Sequence, residues 1–157
     1  MTHNNQVIKT DLSEGPGEAR SALLESLVGY CLRRASNALL ADFMTAMAEL
    51  GLRPALFAML AVARENPGIN QSALGRALGI QRANLVPLVA ELAGRGLIER
   101  RPVDGDRRAV AVHLTEEGDK LLAQAERRVR PHEDRMLREL TGQERESLRD
   151  LLNRIAT

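Results

Sequence analysis

The chain has 157 residues, 44% of them hydrophobic and 27% charged, an ordinary composition that predicts one compact unit and excludes an intrinsically disordered chain. No apolar run approaches the ~18 residues of a membrane span, and the opening MTHNNQVIKTDLSEGPGEAR lacks the basic-then-apolar order of a secretory leader, so a cytoplasmic protein with no membrane partner is expected. A lone cysteine, Cys31, excludes an internal disulfide and a cysteine-based zinc site, and the net charge of +1 says little until its distribution is read.

Residues 1–18 are polar, carry Gly15, Pro16 and Gly17 and show no periodicity, which predicts a flexible arm before a single unit over 19–157. From Ala19 to Leu50 the apolar residues Leu23, Leu24, Leu27, Val28, Cys31, Leu32, Ala35, Leu39, Phe43, Met44 and Met47 follow helical spacing, and one long helix is expected. Gly51 ends it, Pro54 opens a second helix to about Glu65, and Asn66-Pro67-Gly68 stops that one. Two short helices follow, Gln71 to Leu78 and about Arg82 to Arg95, with Gly79 and Ile80 between them and Gly96 after the second. The period then changes to two. LIERRPV and AVAVHLT read as strands joined by the turn VDGDRR. Thr115 caps a helix from Glu116 to about Leu140, which Pro131 should kink or divide, and Thr141-x-x-Glu144 is a capping box before Leu148, Leu151, Leu152 and Ile155.

Two short helices around a tight glycine turn, followed at once by a hairpin, make a winged helix-turn-helix over about 53–115. The fold class is therefore mainly α with a small β-hairpin wing, two- or three-stranded. The long apolar-striped helices over 19–50 and 116–157 exceed what one core needs and read as dimerisation helices. Charge agrees with this division. Between Ile69 and Thr115 seven arginines stand against four carboxylates, whereas from Glu116 onward the balance is −1. A small excess of this kind is also what a solvated surface carries, so charge alone decides little.

GLIERRPVDGDRRAVAVHLTEEG at 96–118, with GLRPALFAML at 51–60 and SALGRALGIQRANLVPLVAEL at 72–92, resembles the MarR family of bacterial regulators over about Ala22 to Ile155. The resemblance implies a ligand-responsive repressor that binds a palindromic double-stranded DNA operator as a homodimer. It places Gln81, Arg82, Ala83, Asn84, Leu85 and Val86 at the start of the DNA-reading helix, with Asn84 as the reader of an adenine edge and Gln81 and Arg82 on phosphates or a guanine. It also implies that Arg108 enters the minor groove, braced by Asp106, with Arg107 as a lesser contact. Two departures stand out: Val103 replaces the aspartate that often follows the proline of the wing turn, and Pro87 stands where many members carry a polar residue, which should bend the helix and remove a DNA contact.

Members of the family commonly bind small phenolic or aromatic acids, or their thioesters, between the dimer helices and the winged domain. Tyr30, Arg34, Met44, Met47, Arg53 and Phe57 are the corresponding candidates here, although methionine and phenylalanine at helical spacing are core residues more often than pocket linings. Arg53 stands where a helix-capping Ser, Thr or Asp would be expected, and a ligand carboxylate or phosphate would account for it. One branch of the family senses hydroperoxides through a cysteine in its first helix. Counted back from Gly51 that residue would fall near Gly29, and a two-residue shift turns a side chain by roughly 200°, so Cys31 is expected to be a buried small hydrophobe, with a redox role as the alternative. His3, His113 and His132 have no nucleophile or paired carboxylate motif near them in the sequence, and neither catalysis nor a cofactor nor a metal site is expected. A winged-helix protein-interaction module without DNA binding is the other alternative.

Overall fold

The computed structural model describes residues 21–103 and 106–156, the side chains at 103 and 106–109 excepted. The expected arm over 1–18 lies outside the described residues. The described residues fall into two units, divided after Ser36, which are described in turn.

In the first unit Ser21 caps α1 (Ala22–Ser26), its hydroxyl accepting from the Leu24 amide at 3.4 Å. The single long helix expected here is broken at Leu27, which is extended at φ −90° and ψ 117°. The Ser26 hydroxyl donates to the Leu23 carbonyl at 2.8 Å, a local bond that competes with helix continuation. The Leu27 carbonyl then receives the Tyr30 and Cys31 amides at 3.0 and 3.1 Å and starts α2 (Val28–Met47). Cys31 is exposed rather than buried, its thiol directed at the Glu25 carbonyl at 3.5 Å, because no described neighbour in the chain covers that side of the helix. Arg33 and Arg34 lie over the Tyr30 ring at 5.1 and 5.9 Å, cation–π contacts that hold both guanidinium groups near one aromatic face.

In the second unit α2 ends in one 3-10 turn, Ala48–Leu50, closed by Gly51 at φ +58°, a left-handed conformation that glycine adopts without a Cβ penalty. The Arg95 guanidinium donates to the Leu50 and Gly51 carbonyls at 3.0 and 2.8 Å, satisfying acceptors that the turn leaves open. Next come α3 (Pro54–Glu65), β1 (Ile69–Asn70), α4 (Gln71–Leu78), α5 (Arg82–Gly94), β2 (Ile98–Val103), β3 (Asp106–Leu114), α6 (Glu116–Met136) and α7 (Gly142–Ala156). The wing is a three-stranded antiparallel sheet in the order β1-β3-β2, with Ile69 opposite Val112 and Ile98 opposite Leu114. β3 starts earlier than the sequence pattern suggests, so Asp106, Arg107 and Arg108 belong to a strand and not to the turn.

One apolar core joins Phe43 and Met47 of α2, Leu56, Met59 and Leu60 of α3, Leu74 of α4, Leu85, Val89 and Leu92 of α5, Val112 of β3 and Leu122 of α6. The junction of wing and α6 depends on a missing side chain. A Cβ on Gly118 would lie 2.1 Å from the Leu97 carbonyl oxygen and 2.8 Å from a Leu114 methyl. Thr115 stitches the same place: its amide donates to the Leu97 carbonyl at 3.1 Å, its hydroxyl donates to the Gly96 carbonyl at 2.7 Å and accepts the Gly118 amide at 3.0 Å. This geometry accounts for the Leu-Thr-x-x-Gly pattern at 114–118. Pro131 does not divide α6, although the helix stops at Met136, four residues before the expected end.

α6 is fastened to α2 and α3 by charge. His132, almost wholly buried, places Nδ1 2.6 Å from Asp42, which also receives Arg135; Arg128 binds Glu49, and Arg64 binds Glu126. α7 is held at its start, where the Thr141 amide donates to the Glu144 carboxylate at 2.8 Å and Arg145 donates to the Leu137 and Leu140 carbonyls at 2.8 and 3.2 Å.

These fastenings predict acid sensitivity. Arg135, then His132, hold the Asp42 carboxyl below its ordinary 3.8, Arg64 holds Glu126 below 4.5, and the Thr141 amide and hydroxyl do the same for Glu144, each outweighing desolvation. The unfolded chain therefore takes up these protons at higher pH than the folded one. Their stabilisation is complete above the ordinary carboxylate range and is lost as pH falls through the lower folded values. Urea midpoints should drop as the pH falls below about 4, with a shallower drop in Asp42→Asn. An Asp42→Asn variant that keeps the full wild-type slope would remove that pair from the account.

Candidate nucleic-acid interface

α4 and α5 are set against each other by two glycines. Gly79 turns the chain at φ +63°, and a Cβ on Gly75 would meet the Ile80 carbonyl at 2.9 Å and a Leu85 methyl at 3.2 Å, so the helices approach closely here only because that atom is absent. Asn70 caps α4, its side-chain oxygen accepting from the Ala73 amide at 2.8 Å. Gln81 caps α5 with its backbone alone: its carbonyl accepts the Asn84 and Leu85 amides at 2.9 and 3.0 Å, and its carboxamide makes no bond among the described residues.

Between the two helix starts opens a surface cleft of about 690 Å³ lined by Gln71, Ser72, Arg76, Gln81, Arg82 and Val86, with Val110 of β3 at its edge. Several arginines of this unit are matched by carboxylates, as in Arg64–Glu126, Arg128–Glu49, Arg135–Asp42 and Arg145–Asp134. Arg76 and Arg82 beside the cleft have no carboxylate partner among the described residues, as is also true of Arg100, Arg127 and Arg149, whereas Arg101 is held by Glu99 at 2.8 Å. Arg82 in the first turn of α5 and Arg76 in the last turn of α4 put two exposed cations on one cleft, which favours an extended anion there.

Of the residues expected to meet DNA, Gln81, Arg82, Ala83 and Asn84 are exposed at the start of α5. Leu85 is a correction. It is 2% exposed and packs in the core, so it anchors the helix at the floor of the cleft instead of standing out as a contact. Gln71, Ser72 and Arg76 on α4 escaped the sequence reading, although the Asn70 cap was a signal that could have located that helix start. α5 runs unbroken through Pro87, whose missing N–H takes away the donor for the Ala83 carbonyl. In the wing, the β2–β3 register jumps from Pro102 opposite Val110 to Val103 opposite Asp106, so Arg107, Arg108 and Ala109 bulge out of the ladder. The bracing of Arg108 by Asp106 falls on side chains outside the description.

The candidate ligand residues divide differently from expectation. Arg53, which gives no side-chain cap to α3, finds its carboxylate within the chain, in Glu91 of α5, so no ligand is needed to explain it. Met47 is a fully buried core residue, and Phe57 packs edge-on to Phe43 at 5.9 Å. Met44 is exposed on α2, and Tyr30 and Arg34 stack on each other in the first unit.

Among the described residues no single helix is long and apolar enough to cross a membrane. The sequence pattern described as MarR family matches residues 50–109. The chain is 36% identical over 129 residues, 82% of this chain and 78% of the relative, to a putative transcriptional regulatory protein for the hcr operon of Thauera aromatica. Its structure is similar to that of the transcriptional repressor CouR bound to a 23-mer DNA duplex, with 38% identity, a TM-score of 0.85 and coverage of 89% of this chain and 99% of that one. It is also similar to CouR from Rhodococcus jostii RHA1 bound to p-coumaroyl-CoA, at 31% identity, a TM-score of 0.78 and coverage of 87% and 96%. With the helix-turn-helix, the three-stranded wing and the 114–118 junction in place, these likenesses establish that the chain belongs to the MarR family of winged helix-turn-helix transcriptional regulators.

Proposed function

We propose that the protein is a repressor that binds a palindromic DNA operator as a homodimer, through the first turn of α5, the start of α4 and the wing, and that a small aromatic acid or its coenzyme A thioester releases it. The cleft between α4 and α5, with Arg76 and Arg82 left unpaired beside it, carries the DNA-binding part of this reading. The DNA-bound and p-coumaroyl-CoA-bound relatives support the pairing of operator with thioester effector. A dimer is supported by the apolar stripe of Leu148, Leu151, Leu152 and Ile155, which a single chain leaves exposed. Two-fold symmetry then places half-sites about one helical turn, ~10 bp, apart or a multiple of it.

Phosphate and base contacts separate by their salt dependence. Arg108→Ala should weaken binding to all duplexes rather uniformly and reduce the slope of log affinity against log salt by up to about one. Asn84→Ala should instead cost ~1–3 kcal/mol at one base position with the slope nearly unchanged. Fluorescence anisotropy at several salt concentrations measures both. Wild-type affinity of Arg108→Ala at every salt concentration would exclude the wing from the complex.

A further inference from the structure

Beyond its first turn the exposed side of α5 carries no hydrogen-bonding side chain as far as Ala90. Leu85, Val89 and Leu92 face the core, while Ala83, Val86, Pro87 and Ala90 are exposed on other sides of the same helix. A helix that reads bases only by hydrogen bonds carries amides and guanidinium groups along its outward face, yet α5 confines these to Gln81, Arg82 and Asn84 at its start. Val86 is 50% exposed and lines the cleft together with Gln81 and Arg82, with Val110 across from it. The unpaired Arg76 and Arg82 in the same cleft match a polyanion, which identifies the occupant of this apolar surface as nucleic acid. In the major groove the one apolar feature on the base edges is the thymine C5-methyl group.

We propose that α5 recognises its operator partly by thymine methyl groups, with Val86 making an apolar contact to one thymine in each half-site. This rests on the DNA-binding reading above. A bonded amide such as Asn84 distinguishes bases by donor and acceptor pattern; Val86 distinguishes thymine from every base that lacks the methyl.

The test replaces each thymine singly by deoxyuridine, which keeps the hydrogen-bonding pattern and removes only the methyl, in a duplex selected from a randomised pool by the full-length protein. At one thymine per half-site the substitution should weaken binding about fourfold, the effect of burying one methyl group. Val86→Ala, checked for an unchanged melting temperature, should bind the thymine and deoxyuridine duplexes equally. Val86→Thr, which retains a methyl group, should keep part of the preference. Deoxyuridine tolerated at every position, a selected consensus with no fixed thymine in either half-site, or an undiminished preference in Val86→Ala would each overturn the proposal while leaving DNA binding intact. Deoxyuridine tolerance together with a changed sedimentation coefficient in Val86→Ala would assign this face to a second copy of the chain instead. Failure of the wild type to bind any duplex at low salt would overturn both readings.

Discussion

Replacing Gly118 by alanine should unfold the junction between wing and α6, with a loss of about 3 kcal/mol or more. The added Cβ would stand 2.1 Å from the Leu97 carbonyl, which is backbone and cannot turn aside, and 2.8 Å from Leu114. Overpacking a well-filled site, which forces side chains off their rotamers and shifts backbone, costs about 1–3 kcal/mol and occasionally more; a contact this short with backbone stands at the upper end. The displaced carbonyl is also the acceptor for the Thr115 amide, so relief of the clash would cost that bond and the cap of α6 with it. Gly94→Ala is the control, since nothing stands within 4 Å of its Cβ; it should be neutral or stabilise by up to about 1 kcal/mol. Urea unfolding of the two variants beside wild type measures the contrast. A Gly118→Ala protein within about 0.5 kcal/mol of wild type, the range of harmless surface changes, would show that this contact is not close.

Deletion of residues 142–157 should abolish the proposed dimer. α7 buries none of its residues in a single chain, and Leu151 and Ile155 are 52% and 64% exposed there. Fully burying an exposed side chain of this kind contributes ~1.5–3 kcal/mol, so the remaining exposure of Leu148, Leu151, Leu152 and Ile155, between 36% and 64%, is a part of that for each and together favours association. The truncated chain should sediment as monomer or aggregate. Leu151→Glu separates those outcomes, because it places charge in the stripe without exposing the end of α6, and it should give a folded monomer. Either variant sedimenting as a stable dimer would contradict this assignment of the interface.

Elements whose limits are set by neighbours in the chain were legible in the sequence. Pro54 at the start of α3, Gly51 and Gly79 in left-handed turns, the Thr115 cap and the Thr141–Glu144 box all act within four residues, and α3 and α4 have the expected bounds. Features made by distant partners were not. β1 is two residues long and exists only because β3 pairs with it, and Arg53 meets Glu91 38 positions away. The break at Leu27 coincides with a local bond of the Ser26 hydroxyl, a signal lost within an otherwise helical pattern. Leu85 illustrates the same limit in the interface: the resemblance places it with the first turn of the DNA-reading helix, while the helical turn of 100° per residue sends it into the core. From propensity alone Pro131 is expected to kink or divide α6, and the helix is not divided there. Packing of Leu122, Ala125 and His132 on either side of it sustains the helix.

The most direct test of the central claim is the binding of the wild-type protein to a duplex selected from a random pool against a scrambled duplex of the same composition at physiological salt. Stoichiometry is read from the break point at high concentration. The account predicts two chains per duplex, a palindromic consensus, and a preference of about a thousandfold or more for the selected sequence. Equal affinity for the two duplexes, or one chain per duplex with no symmetry in the selected sequences, would contradict it.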